Sequence, residues 1–336
     1  VADKVFFIAE VSANHNQRFD RAVKLIDAAA DSGATAVKFQ TYKPETMTLP
    51  KAEFSVSSDH TLWSGVNLFD LYQKAMTPWE WHEELFEYAR GRSLVPFSSP
   101  FDRSAVDFLE GLDCPIYKIA SLETSDLDLI EYVASTGKPM IISTGATTLD
   151  EIAQAVEVAS LSGCKELQLL VCTSSYPAHP KDSHVRRIVK LREKFGVPVG
   201  LSDHTLGLGA SLAAITLGAR TIEKHITLSR ADGGYDSSFS LEPHEFRSLV
   251  DEGEAVVESL GSEEWSIQEA EAESRRLRRS LFITKNVQRG DIATRENIKA
   301  LRPNAGGRIG DISRILGKPF KDNYTSGTAA TVECVE

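Results

Sequence analysis

Eight short β-prone runs, at 5–10, 36–40, 94–98, 116–119, 140–143, 167–171, 197–201 and 221–224, alternate with segments that mostly carry helical periodicity. Helical patterns stand out at 21–32, 78–90, 149–161 and 186–195. Strand–helix alternation implies parallel strands, and eight such units close into a (β/α)8 TIM barrel. Thr77-Pro78-Trp79-Glu80 and Thr148-Leu149-Asp150-Glu151 read as capping boxes. Gly33, Gly91, Gly137 and Gly163 fall where helix C-caps are expected. An open doubly wound sheet would instead carry a Gly-rich phosphate loop after its first strand. Here that strand leads into Ala9-Glu10-Val11-Ser12-Ala13-Asn14-His15, which has no glycine.

A chain of 336 residues suits one large domain and a small one. The expected division is a barrel at 1–261, a charged helical linker at 262–279 and a small, mostly β module at 280–336. In that module 280–284 reads as a strand, 288–291 as a turn, 294–298 as a short helix and 329–335 as β-prone. The second barrel unit is interrupted by 41–75, which carries Leu62, Trp63, Leu68, Phe69, Leu71 and Tyr72. A long loop on the C-terminal face of a barrel usually belongs to the site.

Net charge is −11, which disfavours a nucleic-acid partner. An anionic substrate would need lysines focused in a pocket. No apolar run reaches the roughly 20 residues of a membrane span. Val1-Ala2-Asp3-Lys4 runs directly into a strand-like segment with no signal-peptide pattern, and the four widely spaced cysteines include no CxxC pair. The expectation is a cytoplasmic protein with free thiols.

The residues at the strand ends are polar although the strand interiors are apolar. They include Glu10, Asn14 and His15; Lys38 and Gln40; Ser98 and Ser99; Lys118, Ser121 and Glu123; Ser143 and Thr144; Thr173, Ser174 and Tyr176; Ser202 and His204; Lys224 and His225. Lys38 and Lys118 lie inside apolar runs, and a buried ammonium needs an anionic partner. With the hydroxyls of Ser99, Ser121, Ser143 and Ser202 they form a candidate phosphate and carboxylate site. His204 and His225 could hold one divalent ion as neutral imidazoles. Glu10 is the leading candidate for a general base or an additional group in the metal's shell, with Glu123 second. The plainer readings are these: His15 orients nearby backbone, Asp203 caps the chain after its strand, and Tyr176 packs within its loop. His60, His82, His179, His184 and His244 are read as solvated. In 231–243, Asp236 could meet sugar hydroxyl or amide groups, with a plain connector as the alternative.

Six segments in order resemble the sialic acid synthase family over nearly the whole chain. They are Ala9–His15, Val37-Lys38-Phe39-Gln40-Thr41, Tyr117-Lys118-Ile119-Ala120-Ser121, Ile142-Ser143-Thr144-Gly145, Gly200–Thr205 and Glu223–Thr227. Within the family, Asp70-Leu71-Tyr72, Thr77-Pro78-Trp79-Glu80-Trp81, Phe97–Asp102, Cys172–Pro177 and Gly233–Pro243 most resemble the pseudaminic acid branch. The end of the chain resembles the antifreeze-like (SAF) domain that closes these enzymes. The resemblance implies condensation of phosphoenolpyruvate with the open-chain aldehyde of an amino sugar, giving a nine-carbon 2-keto acid and phosphate. It assigns Lys38, Ser99, Lys118, Ser121, Ser143 and Ser202 to phosphoenolpyruvate. It gives His204 and His225 a divalent ion, manganese first, with magnesium or cobalt as alternatives. Glu10, Gln40, Tyr176 and Asp236 would contact the sugar, and Ser174 stands where sialate synthases have Asn. It also implies a domain-swapped homodimer in which Arg302 reaches the other copy's site. The family's usual Arg-Pro-Gly-x-Gly is here Arg302-Pro303-Asn304-Ala305-Gly306-Gly307.

Rival readings are a neuraminate or legionaminate synthase, a metal-dependent barrel hydrolase and a carbohydrate-binding protein. A hydrolase needs no phosphate ring of lysines and serines. A binding protein leaves a ring of polar strand ends unexplained.

Overall fold

The structure is a computed structural model that describes residues 4–56 and 63–336. Val1, Ala2, Asp3, His60 and Leu62 lie outside the described residues. The first unit, residues 1–261, carries β1 (Phe6–Glu10), α1 (Phe19–Asp31), β2 (Ala36–Thr41), α2 (Pro44–Met47), α3 (Leu68–Ala75), α4 (His82–Gly91), β3 (Val95–Pro100), α5 (Arg103–Glu110) and β4 (Tyr117–Ile119). It continues with α6 (Leu127–Ser135), β5 (Met140–Ser143), α7 (Leu149–Leu161), β6 (Leu167–Cys172), α8 (Arg187–Phe195), β7 (Val199–Ser202), α9 (Gly209–Thr216), β8 (Thr221–His225) and α10 (Pro243–Leu260). The eight strands pair in sequence order into a closed barrel. The seam is parallel, with Glu10 of β1 opposite His225 of β8.

Local chemistry accounts for the helix boundaries. Thr148 and Glu151 form the expected capping box at the start of α7. Asp102 accepts hydrogen bonds from the backbone of Ser104 and Ala105 to start α5. Gly253 of α10 lets that helix close on the barrel, because a Cβ there would lie 2.7 Å from the Phe7 ring. Phe7 therefore faces outward from β1, and strand alternation turns Glu10 inward.

Two local expectations are corrected. Thr77 does not cap a helix: a 3-10 turn at Trp79–Trp81 precedes α4, and the buried Thr77 hydroxyl lies 3.4 Å from His15 Nε2. Gly91 is the last residue of α4, and Ser93 adopts the left-handed conformation instead, at φ 61°.

The second unit, residues 262–336, has its own small core around Leu281, Ile283, Ile298, Ile315 and Phe320. Within 262–279 the helical turns are confined to Glu269–Glu271 and α11 (Ala272–Arg276). β9 (Ser280–Ile283) pairs antiparallel with β10 (Ile298–Leu301), and α12 (Ile312–Ile315) follows. The helix expected at 294–298 is instead a turn leading into β10, whose Ile298 is buried opposite Ile283. At the β-prone end, a 3-10 turn at Val332–Cys334 is flanked by single bridges, Phe282 to Ala329 and Phe320 to Val335.

Candidate active site

Alternation along the strands turns Glu10, Lys38, Lys118 and Glu223 toward the barrel axis, where all four are buried. Lys38 Nζ lies 2.5 Å from Glu10 Oε2 and 3.8 Å from Glu223 Oε2. Lys118 Nζ lies 3.9 Å from Glu223 Oε1. Two ammonium groups thus face two carboxylates out of water. Burial opposes every charge in this group, and the neighbours decide the outcome. For Lys38, Glu10 and Glu223 overcome burial and hold its pKa above the usual lysine value. Lys118 has fewer partners, and burial lowers it. Glu223, between two lysines, is held below the ordinary carboxylate value against burial. Burial raises Glu10 in spite of Lys38.

Hydroxyl groups surround this cluster. Lys38 Nζ reaches Ser99 Oγ at 3.3 Å and Lys118 Nζ donates to Ser143 Oγ at 2.6 Å. Ser202 donates to Glu223 at 2.8 Å. Ser121 Oγ accepts from the Gly145 backbone at 3.1 Å. Ser174 is brought to the same place, since a Cβ on Gly145 would lie 2.3 Å from Ser174 Oγ and 2.8 Å from Ser121 Oγ.

His204 and His225 come together with ring centroids 5.3 Å apart. His204 Nδ1 donates to the Thr173 carbonyl at 3.0 Å, so Nε2 is the ligand atom of the neutral ring. Although burial opposes the charge, Cys172 and that carbonyl hold this imidazole above its ordinary pKa, and binding a cation would release the extra proton. His225 Nδ1 is buried without a hydrogen-bond partner, and burial holds this imidazole neutral, well below its ordinary pKa. An orphaned buried nitrogen beside a second imidazole fits a divalent cation. Among the described residues no set of three His, Cys, Asp or Glu side chains converges. Two protein ligands are thus available, and the rest of a shell would come from water or substrate. Cys172 Sγ lies 3.8 Å from His204 Nδ1; His204 outweighs burial and brings the thiol down to about 7.

Above these groups opens a cavity of about 390 Å³. Its polar wall includes Ser12, Gln40, Ser121, Glu123, His225 and Asp236. Gln40 donates to Glu10 at 3.0 Å and to Ser12 at 2.9 Å, and Ser12 donates to Asp236 at 2.5 Å. Ser12 is held at φ 44°, an unfavourable backbone conformation for serine that the surrounding bonds maintain. Burial raises Glu123 to about 7. The apolar wall includes Met47, Val56, Trp63, Leu68, Leu71 and Phe101, five of the six from the insertion after β2. Trp63 Nε1 donates to the Tyr235 carbonyl at 3.1 Å, and its ring lies 5.5 Å from that of Tyr176. Tyr176 in turn lies 4.5 Å from His204. The insertion is therefore fastened across the cavity.

Other residues fall elsewhere. Arg302 belongs to the second unit and is exposed just past β10. His15 is buried and accepts from the Gln17 backbone, as expected of an orienting group. His82 corrects its reading as solvated: it is fully buried, with Nε2 2.8 Å from Thr41 Oγ1. Asp203 does accept from the Thr205 backbone, but it also pairs with Lys224, which was not anticipated. Glu223, Ser12 and Trp63 were not singled out from sequence as site residues. Glu223 carried a readable signal, two positions before His225 on the same strand face. Trp63 was marked only as one apolar residue of the insertion, and neither its role nor that of Ser12 could be read, because both depend on residues far along the chain.

Residues 25–265 match the NeuB family. The chain is 44% identical over 330 residues to a pseudaminic acid synthase of Helicobacter pylori, covering 98% of this chain and 97% of that one. It is 35% identical over 324 residues to an N,N'-diacetyllegionaminic acid synthase of Campylobacter jejuni, covering 96% and 97%. Among solved structures, an N-acetylneuraminic acid synthetase of Leptospira borgpetersenii superposes with a TM-score of 0.72 at 32% identity, over 81% of this chain and 90% of that one. A parallel eight-stranded barrel with lysines, serines and paired histidines at its strand ends, and this extent of similarity, lead to one conclusion: the chain belongs to the NeuB family.

Proposed function

We propose that this chain is a pseudaminic acid synthase, a transferase that forms a carbon–carbon bond between phosphoenolpyruvate and 2,4-diacetamido-2,4,6-trideoxy-altrose. The observation that carries the reading is the pair of buried ammonium groups, Lys38 and Lys118, converging on Glu223, joined through Glu10 and Gln40 to a cavity that Gln40 and His225 line. Two buried cations among serine hydroxyls suit a phosphate and a carboxylate on one small molecule. The apolar wall around Trp63 suits a sugar with a terminal methyl and two acetamido methyls better than one with a hydroxymethyl end. The 44% identity to the Helicobacter pylori synthase supports the same sugar.

In this reading Lys38, Lys118, Ser99, Ser121, Ser143 and Ser202 hold phosphoenolpyruvate. Gln40, Glu123, Ser174, Tyr176 and Asp236 orient the open-chain sugar beside it. His204 and His225 would hold a divalent ion, manganese first, and its chemistry there is polarisation of the sugar aldehyde. The enol carbon attacks the aldehyde carbon; the C=O π bond breaks, its oxygen takes up a proton to become a hydroxyl, and the phosphate-bearing carbon is left as an oxocarbenium. Glu10, whose pKa burial raises against the opposing pull of Lys38, takes a proton from the water that adds to the former enol carbon. The adduct then expels phosphate and leaves the 2-keto acid.

The second unit is read as an antifreeze-like module of a domain-swapped homodimer, with Arg302 contacting sugar in the other copy's site. No described helix is long and apolar enough to cross a membrane, and the reading places the reaction in the cytoplasm. The test measures phosphate release from phosphoenolpyruvate with the altrose derivative and with the precursors of legionaminic and N-acetylneuraminic acids. Highest kcat/KM with the altrose derivative is expected. Preference for another precursor overturns the sugar, and no release with any of them overturns the synthase.

A further inference from the structure

Behind the two histidines lies an ion pair that touches neither the cavity nor any group assigned to substrate. Lys224 Nζ is 2.9 Å from Asp203 Oδ2, and each side chain is only 1% exposed. The same Nζ donates to the Thr205 carbonyl at 2.7 Å. Asp203 Oδ1 accepts from the Thr205 backbone at 2.8 Å, and Oδ2 accepts from Ser211 Oγ of α9 at 2.7 Å. Alternation explains the placement. Glu223 and His225 face the barrel axis, so Lys224 between them faces outward, toward α9.

The covalent neighbours matter as much as the contacts. His204 lies beyond the last residue of β7, where the regular ladder has ended. Asp203 precedes it and Thr205 follows it, and the ion pair bonds to both. Lys224 immediately precedes His225. One buried pair therefore grips the backbone on either side of one imidazole and on the near side of the other. Asp203 N also donates to the Glu223 carbonyl at 2.9 Å, which ties the two strand ends directly.

A buried pair of this kind is weak evidence for stability, because replacing both partners by well-packed apolar groups is often neutral or stabilising. Fixing local geometry is the better-supported use. Metal affinity depends steeply on how well ligands are held before the ion arrives. We infer that Asp203 and Lys224 are positioning residues whose ion pair sets the spacing of His204 and His225 and thereby the affinity of that site for a divalent cation. This rests on the proposed role of the two histidines.

The test uses the full-length, metal-free protein titrated with Mn²⁺ alone, with free Mn²⁺ followed by electron paramagnetic resonance. Wild type is expected to bind one ion and His225→Ala none. Absence of binding by wild type, or equal binding by His225→Ala, overturns the metal reading itself, and the inference falls with it. The double variant Asp203→Leu/Lys224→Met is expected to fold and to bind Mn²⁺ about 10–100-fold more weakly. Raising Mn²⁺ to saturation is expected to restore most of its kcat. A folded double variant with wild-type Mn²⁺ affinity overturns the inference. Should the double variant fail to fold, Lys224→Arg supplies the second measurement. It keeps the charge, but a guanidinium cannot reproduce one ammonium bonded to both Asp203 and the Thr205 carbonyl. At least threefold weaker Mn²⁺ binding is expected, and wild-type affinity overturns the inference.

Discussion

Lys38 Nζ lies 2.5 Å from Glu10 Oε2, and both side chains are sealed from solvent. The cation proposed for phosphoenolpyruvate and the carboxylate proposed for proton transfer therefore form one buried ion pair. Glu10→Gln keeps the volume and leaves Lys38 with Ser99 and Glu223. The expected result is a folded enzyme whose kcat falls about 10²–10⁴-fold while KM for phosphoenolpyruvate changes little. Steady-state kinetics checks this, and an unchanged kcat removes Glu10 from the chemistry.

Gly145→Ala tests the crowding at the end of β5. The new methyl would lie 2.3 Å from Ser174 Oγ, 2.8 Å from Ser121 Oγ and 3.2 Å from Cys172 Sγ. The first two are short side chains with little room to move. Loss of about tenfold or more in kcat/KM is expected, with stability lowered by about 1–3 kcal/mol. Kinetics beside chemical denaturation separates the two effects.

Trp63→Ala removes the bond to Tyr235 and the contact with Tyr176. The barrel core does not include this side chain, so the melting temperature should hold within a few degrees. The KM for the sugar should rise about tenfold or more, the scale of a lost apolar pocket contact. The KM for phosphoenolpyruvate should stay near wild type. Equal rises in both constants would contradict the assignment of this wall to the sugar.

His82 predicts a pH dependence of stability. Burial pushes it from 6.5 down to about 4, with the Pro78 and Trp79 backbone opposing the shift. The folded chain keeps this ring neutral where the unfolded chain takes up a proton. The unfolded state thus binds more protons between about pH 6.5 and 4, and stability falls as pH falls through that window. The shift corresponds to a loss on the order of 3 kcal/mol. His82→Gln should flatten the curve of unfolding free energy against pH over this range. The same slope in both proteins would refute the assignment.

The strand ends were legible because a barrel writes its site in a regular place. A polar residue that follows an apolar run, as Lys38, Lys118 and His225 do, can be read without coordinates. Glu223 was equally readable, since alternation puts it beside His225. His82 was not. It sits on an amphipathic helix where a solvated histidine looks identical, and only Thr41 and the Pro78 carbonyl explain its burial. Trp63 was illegible for another reason: its segment has no period, and its hydrogen-bond partner Tyr235 is remote in the chain. The segment at 294–298 misled because a few apolar residues suit a short helix or a strand equally well.

The seam of the barrel has a consequence for synthesis. Glu10 leaves the ribosome with the first strand and His225 with the last, and they stand opposite one another only when β1 and β8 have paired. A nascent chain that lacks its final strand has half a site, with Glu10 at one open edge and no His225. On the proposed reading it can neither hold a divalent ion nor align the two substrates. The enzyme is thereby silent until its first unit is complete, and turnover itself reports that the ring has shut.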